Sequence, residues 1–272
     1  MKPAGTILAA AALAPVRLAY AVWTLLVFLA VGVAALLLLV VLPTLGLRRA
    51  AARSAARAFL ALAGMPLTVK FPQRIPAGQC VVVCNHASYL DGIVLTAALP
   101  ARFGFVIKRE MAGVPLAGAL LRRLGSQFVE RFDRARGAAD ARRVLRSATQ
   151  GHSLVFFPEG TFTRAPGLLK FHTGAFATAT RAGCPLVPAV LRGTRRALPP
   201  SGAFPRPGAL EMEILPPLAP GGNGADPEVS GLRDRARAAI LAALGEPDLT
   251  CCDDTDRPPG TARGKSVPAS RP

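Results

Sequence analysis

The sequence predicts an α/β domain in which helices flank a mixed central sheet, preceded by an N-terminal helix that anchors the chain in a membrane. Residues 18–47 form a run of thirty residues without a charge. From residue 65 onward, short apolar or β-branched runs alternate with helical stretches, which is typical of α/β domains. Of the 272 residues 51% are hydrophobic and the net charge is +17. The hydrophobic fraction excludes a disordered chain, and five cysteines in a chain of this length exclude a disulfide-rich scaffold.

The first predicted element is the uncharged run at 18–47. About 20 apolar residues cross a hydrocarbon core, so this run is long enough. Tyr20 and Trp23 are typical interfacial aromatics, and Pro43 can break the helix near its end. More basic residues follow the run than precede it, which places its C-terminal side in the cytoplasm. A single span, an interfacial or re-entrant helix and a cleaved signal are three open interpretations.

A basic stretch follows the apolar run and completes the predicted membrane-anchoring region, residues 1–64. Residues 49–62 place Arg49, Arg53 and Arg57 among apolar and small side chains. Two interpretations are open for this stretch. It is either a basic amphipathic helix lying on anionic headgroups or a helix with an ordinary solvated arginine face.

The predicted globular domain covers residues 65–245. Its predicted strands are Cys80–Cys84, Phe103–Ile107, Gln127–Val129, Ser153–Phe157, Leu186–Leu191 and Glu211–Leu215. Its predicted helices are at 91–99, 115–124, 137–149, 174–182 and, after a Pro- and Gly-rich linker at 216–227, 228–245. The polar tail at 246–272 is predicted to be disordered.

The positive charge is unevenly distributed along the chain. The first carboxylate is Asp91, so everything before it is basic or neutral, and residues 91–218 carry a further +10. This distribution favours a partner with phosphates or an anionic membrane surface. Nucleic-acid binding is not predicted, because aromatic residues make up only 6% of the chain and no recognition motif occurs.

The heptad Asn85–Asp91 directly follows a predicted buried strand, where ligand sites of α/β domains form. Imidazole suits proton transfer near neutral pH, and a carboxylate can fix its tautomer and orientation. The spacing allows His86 and Asp91 to meet if the chain turns there from strand into helix. Because no G-x-S-x-G nucleophile motif occurs, such a pair would activate a hydroxyl of the substrate. A structural histidine with a capping aspartate is the alternative.

Two further segments carry candidate binding groups. In Phe157–Thr161, Glu159 and Gly160 follow a predicted strand, which indicates either a tight turn with N–H donors near a ligand or a plain strand-to-helix turn. Arg131 ends a short predicted strand, where its guanidinium could hold a phosphate. Taken singly, an arginine at this position is a solvated charge more often than a ligand.

In their order along the chain, these segments resemble the 1-acylglycerol-3-phosphate O-acyltransferase branch of the glycerolipid acyltransferase superfamily. Asn85–Asp91 resembles its N-H-x-S-x-x-D block, and Lys108–Arg131 resembles its second block, with the ending G-x-x-F-V-x-R. Phe157–Thr161 resembles the F-P-E-G-T block and Val187–Ala189 the V-P block. The resemblance covers roughly residues 65–215.

The resemblance implies transfer of a fatty acyl group from acyl-CoA or acyl-carrier protein to the free hydroxyl of 1-acylglycerol 3-phosphate, giving phosphatidic acid in phospholipid biosynthesis. It implies an inner-membrane or plasma-membrane enzyme whose domain lies on the cytoplasmic face. His86 would be the general base and Asp91 would orient it. The implied substrate-binding residues are Asn85, Ser88, Lys108, Arg131, Glu159, Gly160, Thr161 and Arg164. Apart from the acyl donor, no cofactor is implied.

One departure from the family pattern bears on the acceptor. The family often has Arg directly after Glu-Gly-Thr, whereas here Phe162 and Thr163 precede Arg164. Either Arg164 reaches the phosphate from a longer loop, or other basic residues such as Lys170 and His172 bind it. The alternatives therefore include acyl transfer to glycerol 3-phosphate or to a lyso-aminolipid. A non-catalytic membrane-surface binding protein is a third possibility, which the intact His-Asp pair disfavours.

The five cysteines predict no metal site. Cys80 and Cys84 lie in a predicted strand as small buried apolar side chains, and no further ligands occur at zinc-binding spacing. In a domain that faces the cytoplasm, we expect all five thiols to be reduced.

Overall fold

The computed structural model describes residues 14–114, 117–130, 134–200, 204–220 and 226–250. The helices are α1 (Ala14–Val41), α2 (Leu45–Leu62), α3 (Asp91–Ala98), α4 (Ala117–Arg123), α5 (Arg134–Thr149), α6 (Gly174–Arg181), α7 (Thr194–Ala197) and α8 (Asp226–Leu244). The strands are β1 (Leu67–Lys70), β2 (Val81–Cys84), β3 (Gly104–Lys108), β4 (Gln127–Val129), β5 (Leu154–Phe156), β6 (Leu186–Arg192) and β7 (Leu210–Ile214).

The described strands form one mixed sheet in the order β1-β7-β6-β2-β5-β3-β4. Its neighbouring strands are parallel except for the antiparallel pair β6 and β7. The predicted fold class is confirmed, and the six predicted strands lie within one residue of their expected ends. The sequence missed β1, because this edge strand alternates between half-buried and exposed positions and has no buried apolar run.

Helices cover both faces of the sheet, and β2 lies in its centre. Val81 and Val83 contact the side that holds α6 and α8, whereas Val82 and Cys84 contact the side that holds α2 and α3. A central parallel strand buried on both faces reads as a continuous apolar run, which explains the sequence Val-Val-Val-Cys. The polar residues that follow β2 are therefore held at the edge of a rigid layer.

Helices α1 and α2 form an antiparallel hairpin against the domain. The Tyr20 hydroxyl donates to the Ala63 carbonyl at 2.6 Å, and Trp23 Nε1 donates to the Leu62 carbonyl at 3.0 Å. At the other end of α1, Arg123 Nη1 donates to the Leu39 carbonyl at 3.0 Å. Within the described residues, α1 is the helix long and apolar enough to cross a membrane. Its exposed apolar side chains are Val16, Leu18, Val22, Trp23, Leu25, Leu26, Phe28, Leu29, Val33, Leu37, Leu38, Val40 and Val41.

The contacts of the α2 arginines show a role that neither interpretation of residues 49–62 included. Arg49 Nε donates to the Leu124 carbonyl at 2.9 Å, and Arg57 Nε donates to the Ala97 carbonyl at 2.9 Å. These two guanidinium groups therefore hold α2 on the domain and are not simply solvated or aimed at headgroups. Periodicity along α2 could not reveal this role, because the carbonyl partners lie at the ends of distant elements.

The C-terminal helix α8 lies where the sequence predicts it. Residues 246–250, assigned above to the tail, pair with the loop after β5: Leu168 N–H donates to the Pro247 carbonyl at 2.9 Å, and Leu249 N–H donates to the Leu168 carbonyl at 3.0 Å. Arg237 on α8 ion-pairs with Asp248 at 2.6 Å. Contacts with the domain thus continue five residues past the predicted boundary. Residues 251–272 lie outside the described residues.

Candidate active site

The candidate site lies at the carboxyl ends of the adjacent parallel strands β2 and β5. The segment after β2 carries His86, and the segment after β5 carries Glu159. The two segments are joined directly, because the backbone N–H of His86 donates to Glu159 Oε1 at 2.6 Å. The structure thus brings together the first and third motif segments identified in the sequence.

His86 and Asp91 form the predicted pair. His86 Nδ1 lies 2.8 Å from Asp91 Oδ2, and the same oxygen accepts the backbone N–H groups of Ala87 at 2.7 Å and Ser88 at 2.8 Å. The Asp91 side chain is 0% exposed and the His86 side chain 18% exposed. Asp91 is also the first residue of α3, where the helix N-terminus favours a negative charge.

This geometry sets the tautomer of His86. An ionised carboxylate only accepts hydrogen bonds, so Nδ1 carries the hydrogen and Nε2 carries the lone pair. A fixed negative charge at Nδ1 also stabilises the imidazolium that forms when Nε2 takes a proton. The pair therefore has the arrangement of a general base.

Glu159 is buried and joins two segments of the site. The residue is 4% exposed, and its second carboxylate oxygen accepts the Leu169 N–H at 2.9 Å. Burial raises the pKa of Glu159 to about 7, against the opposing effect of the Leu169 and His86 N–H groups and of the nearby Arg195. Both oxygens accept backbone N–H groups, and the contact of Glu159 with substrate stays a prediction.

Aromatic rings enclose His86, a feature that the sequence reasoning missed. Phe157 stacks on the imidazole with a centroid distance of 4.1 Å, and Phe162 meets it edge-on at 4.5 Å. Phe162 also contacts Tyr89 at 4.9 Å, and Tyr89 is 67% exposed. Phe162, which departs from the family pattern, thus contacts His86, the candidate base.

Arg195 holds the loop that carries Phe162 and was also missed. Its Nη1 donates to the carbonyls of Thr163 at 2.6 Å and Ala165 at 2.9 Å. Gly193 precedes it with a φ of 89°, and a Cβ there would lie 2.4 Å from the Ala209 carbonyl oxygen. A glycine is therefore required to start α7 and aim Arg195 at the loop. The one sequence signal is the Gly-Thr-Arg run directly after β6.

Two residues predicted to bind substrate make hydrogen bonds within the protein. The Asn85 amide donates to the Leu191 carbonyl at 3.1 Å and accepts the Leu191 N–H at 2.7 Å, which ties β2 to β6. The Ser88 hydroxyl donates to the Leu198 carbonyl at 2.7 Å. Both side chains are buried, and their contact with substrate stays a prediction.

The remaining residues predicted to bind substrate lie on the loop after β5, at the end of β3, or outside the described residues. Gly160 makes the tight turn with a φ of 74°, and its N–H donates to the Phe157 carbonyl at 3.0 Å. Thr161 and Arg164 are exposed on the loop, and Lys108 is exposed at the end of β3. Arg131 lies outside the described residues.

Two side chains close to His86 in sequence, Cys84 and Ser88, are not available as nucleophiles. Cys84 is fully buried and burial raises the pKa of its thiol well above the usual range, so it does not form a thiolate near neutral pH. The Ser88 hydroxyl is buried and donates to a carbonyl. Over the described ranges, no group of three His, Cys, Asp or Glu side chains is placed to hold a metal ion.

Comparison with known families gives a match across the site. The model of the family described as Acyltransferase matches residues 66–192, which include β2, β5, the segments that follow these two strands, and β6. The chain is 30% identical over 191 residues to a Homo sapiens protein named 1-acyl-sn-glycerol-3-phosphate acyltransferase alpha, covering 68% of this chain and 66% of that one. It is 32% identical over 145 residues to the Pseudomonas aeruginosa lyso-ornithine lipid O-acyltransferase, covering 52% and 54%.

The matches span 35% to 66% of the length of curated relatives. Among solved structures, the 1-acyl-sn-glycerophosphate acyltransferase PlsC from Thermotoga maritima aligns with a TM-score of 0.70 and 20% identity. The alignment covers 84% of this chain and 95% of that one. At this identity, the similarity shows a shared fold.

Proposed function

We propose that this chain, which resembles the Acyltransferase family over residues 66–192, transfers a fatty acyl group from a thioester donor, acyl-CoA or acyl-carrier protein, to the free hydroxyl of 1-acylglycerol 3-phosphate, giving phosphatidic acid. The observation that carries the proposal is the 2.8 Å contact between His86 Nδ1 and a fully buried Asp91. That contact leaves Nε2 as a base at the carboxyl edge of the sheet.

In the proposed reaction, His86 Nε2 takes the proton of the acceptor hydroxyl as its oxygen attacks the thioester carbonyl. The new C–O bond forms and the C–S bond breaks, and the imidazolium returns the proton to the leaving thiolate, which departs as a thiol. Asp91 holds the ring and stabilises the imidazolium between these steps. Direct transfer suits this site, because the thiol of Cys84 and the hydroxyl of Ser88 are buried.

We propose that α1 lies in the membrane interface with the domain on the cytoplasmic side. One flank of α1 meets α2, and both its ends are hydrogen-bonded to the protein through Tyr20, Trp23 and Arg123, so the helix lies along the domain and does not extend away from it. The opposite flank exposes a continuous apolar surface. A helix with one apolar face and its polar contacts on the other side is suited to lie along an anionic membrane.

A second acceptor class, a lyso-aminolipid, is supported by one observation at the site. Phe162 stands where the family often has a phosphate-binding arginine, and it contacts His86. The Pseudomonas aeruginosa relative is named for a lyso-ornithine lipid. An acceptor with no glycerol phosphate does not need an arginine at that position.

Purified protein in detergent micelles, given a panel of lyso-acceptors with acyl-CoA and with acyl-carrier protein thioesters, tests the proposal. The expected product is phosphatidic acid from 1-acylglycerol 3-phosphate, identified by mass spectrometry. Exclusive acylation of lyso-ornithine lipid would support the second acceptor class. The absence of acyl transfer to every acceptor would contradict both, and the same panel reports which donor is used.

A further inference from the structure

A cavity of about 450 Å³ lies at the edge of the sheet opposite to His86. Its wall includes Gln127, the first residue of β4, and His152 and Leu154 at the start of β5. These are the amino ends of parallel strands, whereas the candidate active site lies at their carboxyl ends. The cavity is therefore separated from His86 by the length of the sheet.

The cavity wall carries positive charge and hydrogen-bond donors. Arg49, Arg143 and Arg146 line it, and no Asp or Glu is among its lining residues. Arg143 is 3.0 Å from Asp140, but Asp140 also pairs with Arg109 at 2.8 Å. One carboxylate is therefore shared between two guanidinium groups. The bonds that Arg49 makes are to main-chain carbonyls, which do not neutralise its charge.

Like charges converging on one cavity repel each other unless an anion lies between them. Arg146 is exposed on α5, one turn from Arg143, while Arg49 reaches the same cavity from α2. Guanidinium groups bind phosphate oxygens with paired hydrogen bonds. The chemistry of the wall therefore suits a phosphate group.

The neighbouring apolar surface indicates where that phosphate comes from. Leu45 lines the cavity at the start of α2, directly after the turn of the apolar hairpin. Val41, which is 80% exposed, and Leu47 flank the same turn. Apolar side chains beside a cluster of arginines match a lipid interface, with the chains below the headgroup and the cations at its level.

We propose that this cavity binds the phosphate headgroup of an anionic membrane lipid, with Arg49, Arg143 and Arg146 as its ligands. The site orients the domain on the bilayer through the end of the α1–α2 hairpin. This inference is independent of acyl transfer, because none of its residues contacts His86 or Asp91 in the described structure.

Vesicle co-sedimentation of the full chain tests the site without turnover. Vesicles of phosphatidylcholine mixed with phosphatidylglycerol are compared with vesicles of phosphatidylcholine alone, so that the ratio of the two affinities isolates the anionic contribution. The variants are Arg146→Gln and Gln150→Glu, which change exposed cavity-lining side chains. Arg142→Gln is the matched control, because Arg142 is an exposed arginine of the same helix that does not line the cavity.

One lost charge at a membrane surface weakens binding by about fivefold, from about 1 kcal/mol per arginine. We expect that loss in the affinity ratio for Arg146→Gln and Gln150→Glu, and a smaller one for Arg142→Gln. Equal losses for Arg142→Gln and Arg146→Gln would indicate diffuse attraction to the whole surface and would overturn the site. No loss for either variant would overturn the site as well. Inorganic phosphate at the concentration of the lipid phosphate should leave the ratio unchanged; if it abolishes the preference, the cavity takes free phosphate.

Discussion

The carboxyl and amino edges of the same sheet carry charge in two different ways. At the carboxyl edge, Asp91 and Glu159 are buried, and each accepts defined N–H donors. At the amino edge, Arg143 and Arg146 are exposed around an open cavity. The first arrangement holds one imidazole through a buried carboxylate, and the second places exposed cationic side chains around open space.

The difference shows what each edge is suited to do. Proton transfer needs one geometry and one tautomer, which buried groups with defined hydrogen-bond partners provide. Binding to a fluid surface needs charge at the right depth more than fixed geometry. Variants at the carboxyl edge should therefore alter turnover and leave vesicle binding intact.

His86→Ala is expected to have the largest effect. Removing the general base should lower kcat by about 10²–10⁴-fold, while the affinity for phosphatidylglycerol vesicles stays at the wild-type level. Turnover in micelles and vesicle co-sedimentation measure the two properties separately. Turnover within tenfold of wild type would contradict the base assignment, and a parallel loss of vesicle binding would show that the two edges are not independent.

Asp91→Asn tests whether the charge, and not only the hydrogen bonds, matters at the carboxyl edge. The amide oxygen can still accept from His86, Ala87 and Ser88, so the fold should persist, but the imidazolium loses its counter-charge. We expect kcat to fall by up to about 10⁴-fold with little change in KM. An unchanged kcat would mean that Asp91 serves only as a helix cap.

Glu159→Gln should remove a pH dependence of stability. The pKa of Glu159 is about 7 in the folded protein against an ordinary 4.5, so the folded state holds its proton more tightly. The stabilisation is fully present below pH 4.5 and is lost as pH rises through 7, by up to about 3 kcal/mol. Thermal unfolding across this range should show the slope in the wild type and not in Glu159→Gln.

A control with the opposite sign is available at Glu211. Its pKa is lowered, chiefly by the hydrogen bond from Lys70, so its contribution is present above its ordinary pKa and lost as pH falls. Glu211→Gln should therefore leave the downward slope between pH 4.5 and 7 in place. If it removed that slope, Glu159 would not be its source.

Phe162→Ala is expected to have the smallest effect. The ring contacts His86 at 4.5 Å and Tyr89 at 4.9 Å, and such edge-on contacts contribute about 0.5–1.5 kcal/mol. We expect kcat/KM to fall by up to about tenfold, with Phe204→Ala, an exposed phenylalanine, as the matched control. Equal effects for the two variants would show that Phe162 does not help to position the base.

Much of the architecture could be predicted because local patterns and fold agree. Buried runs such as Val81–Cys84 mark strands wherever both faces of a strand are covered, and the spacing of His86 and Asp91 matches the strand-to-helix turn that joins them. The edge strand β1 lacked such a run. A short half-exposed strand carries little apolar signal of its own.

The parts that could not be predicted are those assembled from distant segments. The loop contact of Arg195 spans 32 residues of sequence, and the basic cavity combines residues of α2, α5 and the starts of two strands. The internal hydrogen bonds of Asn85 and Ser88 could not be predicted either, because a motif does not show which side chains face inward. The path of the chain decides these roles.

The central claim, direct acyl transfer to a hydroxyl activated by His86, is tested most directly by a single-turnover experiment. Protein at a concentration above that of an acyl-labelled thioester is quenched before and after addition of 1-acylglycerol 3-phosphate. We expect no covalent label on the protein. Thiol release and labelled phosphatidic acid should appear together, and only after the acceptor is added. Neither product should appear with His86→Ala. Acyl label covalently held by the protein before the acceptor arrives, and then passed to it, would contradict the account.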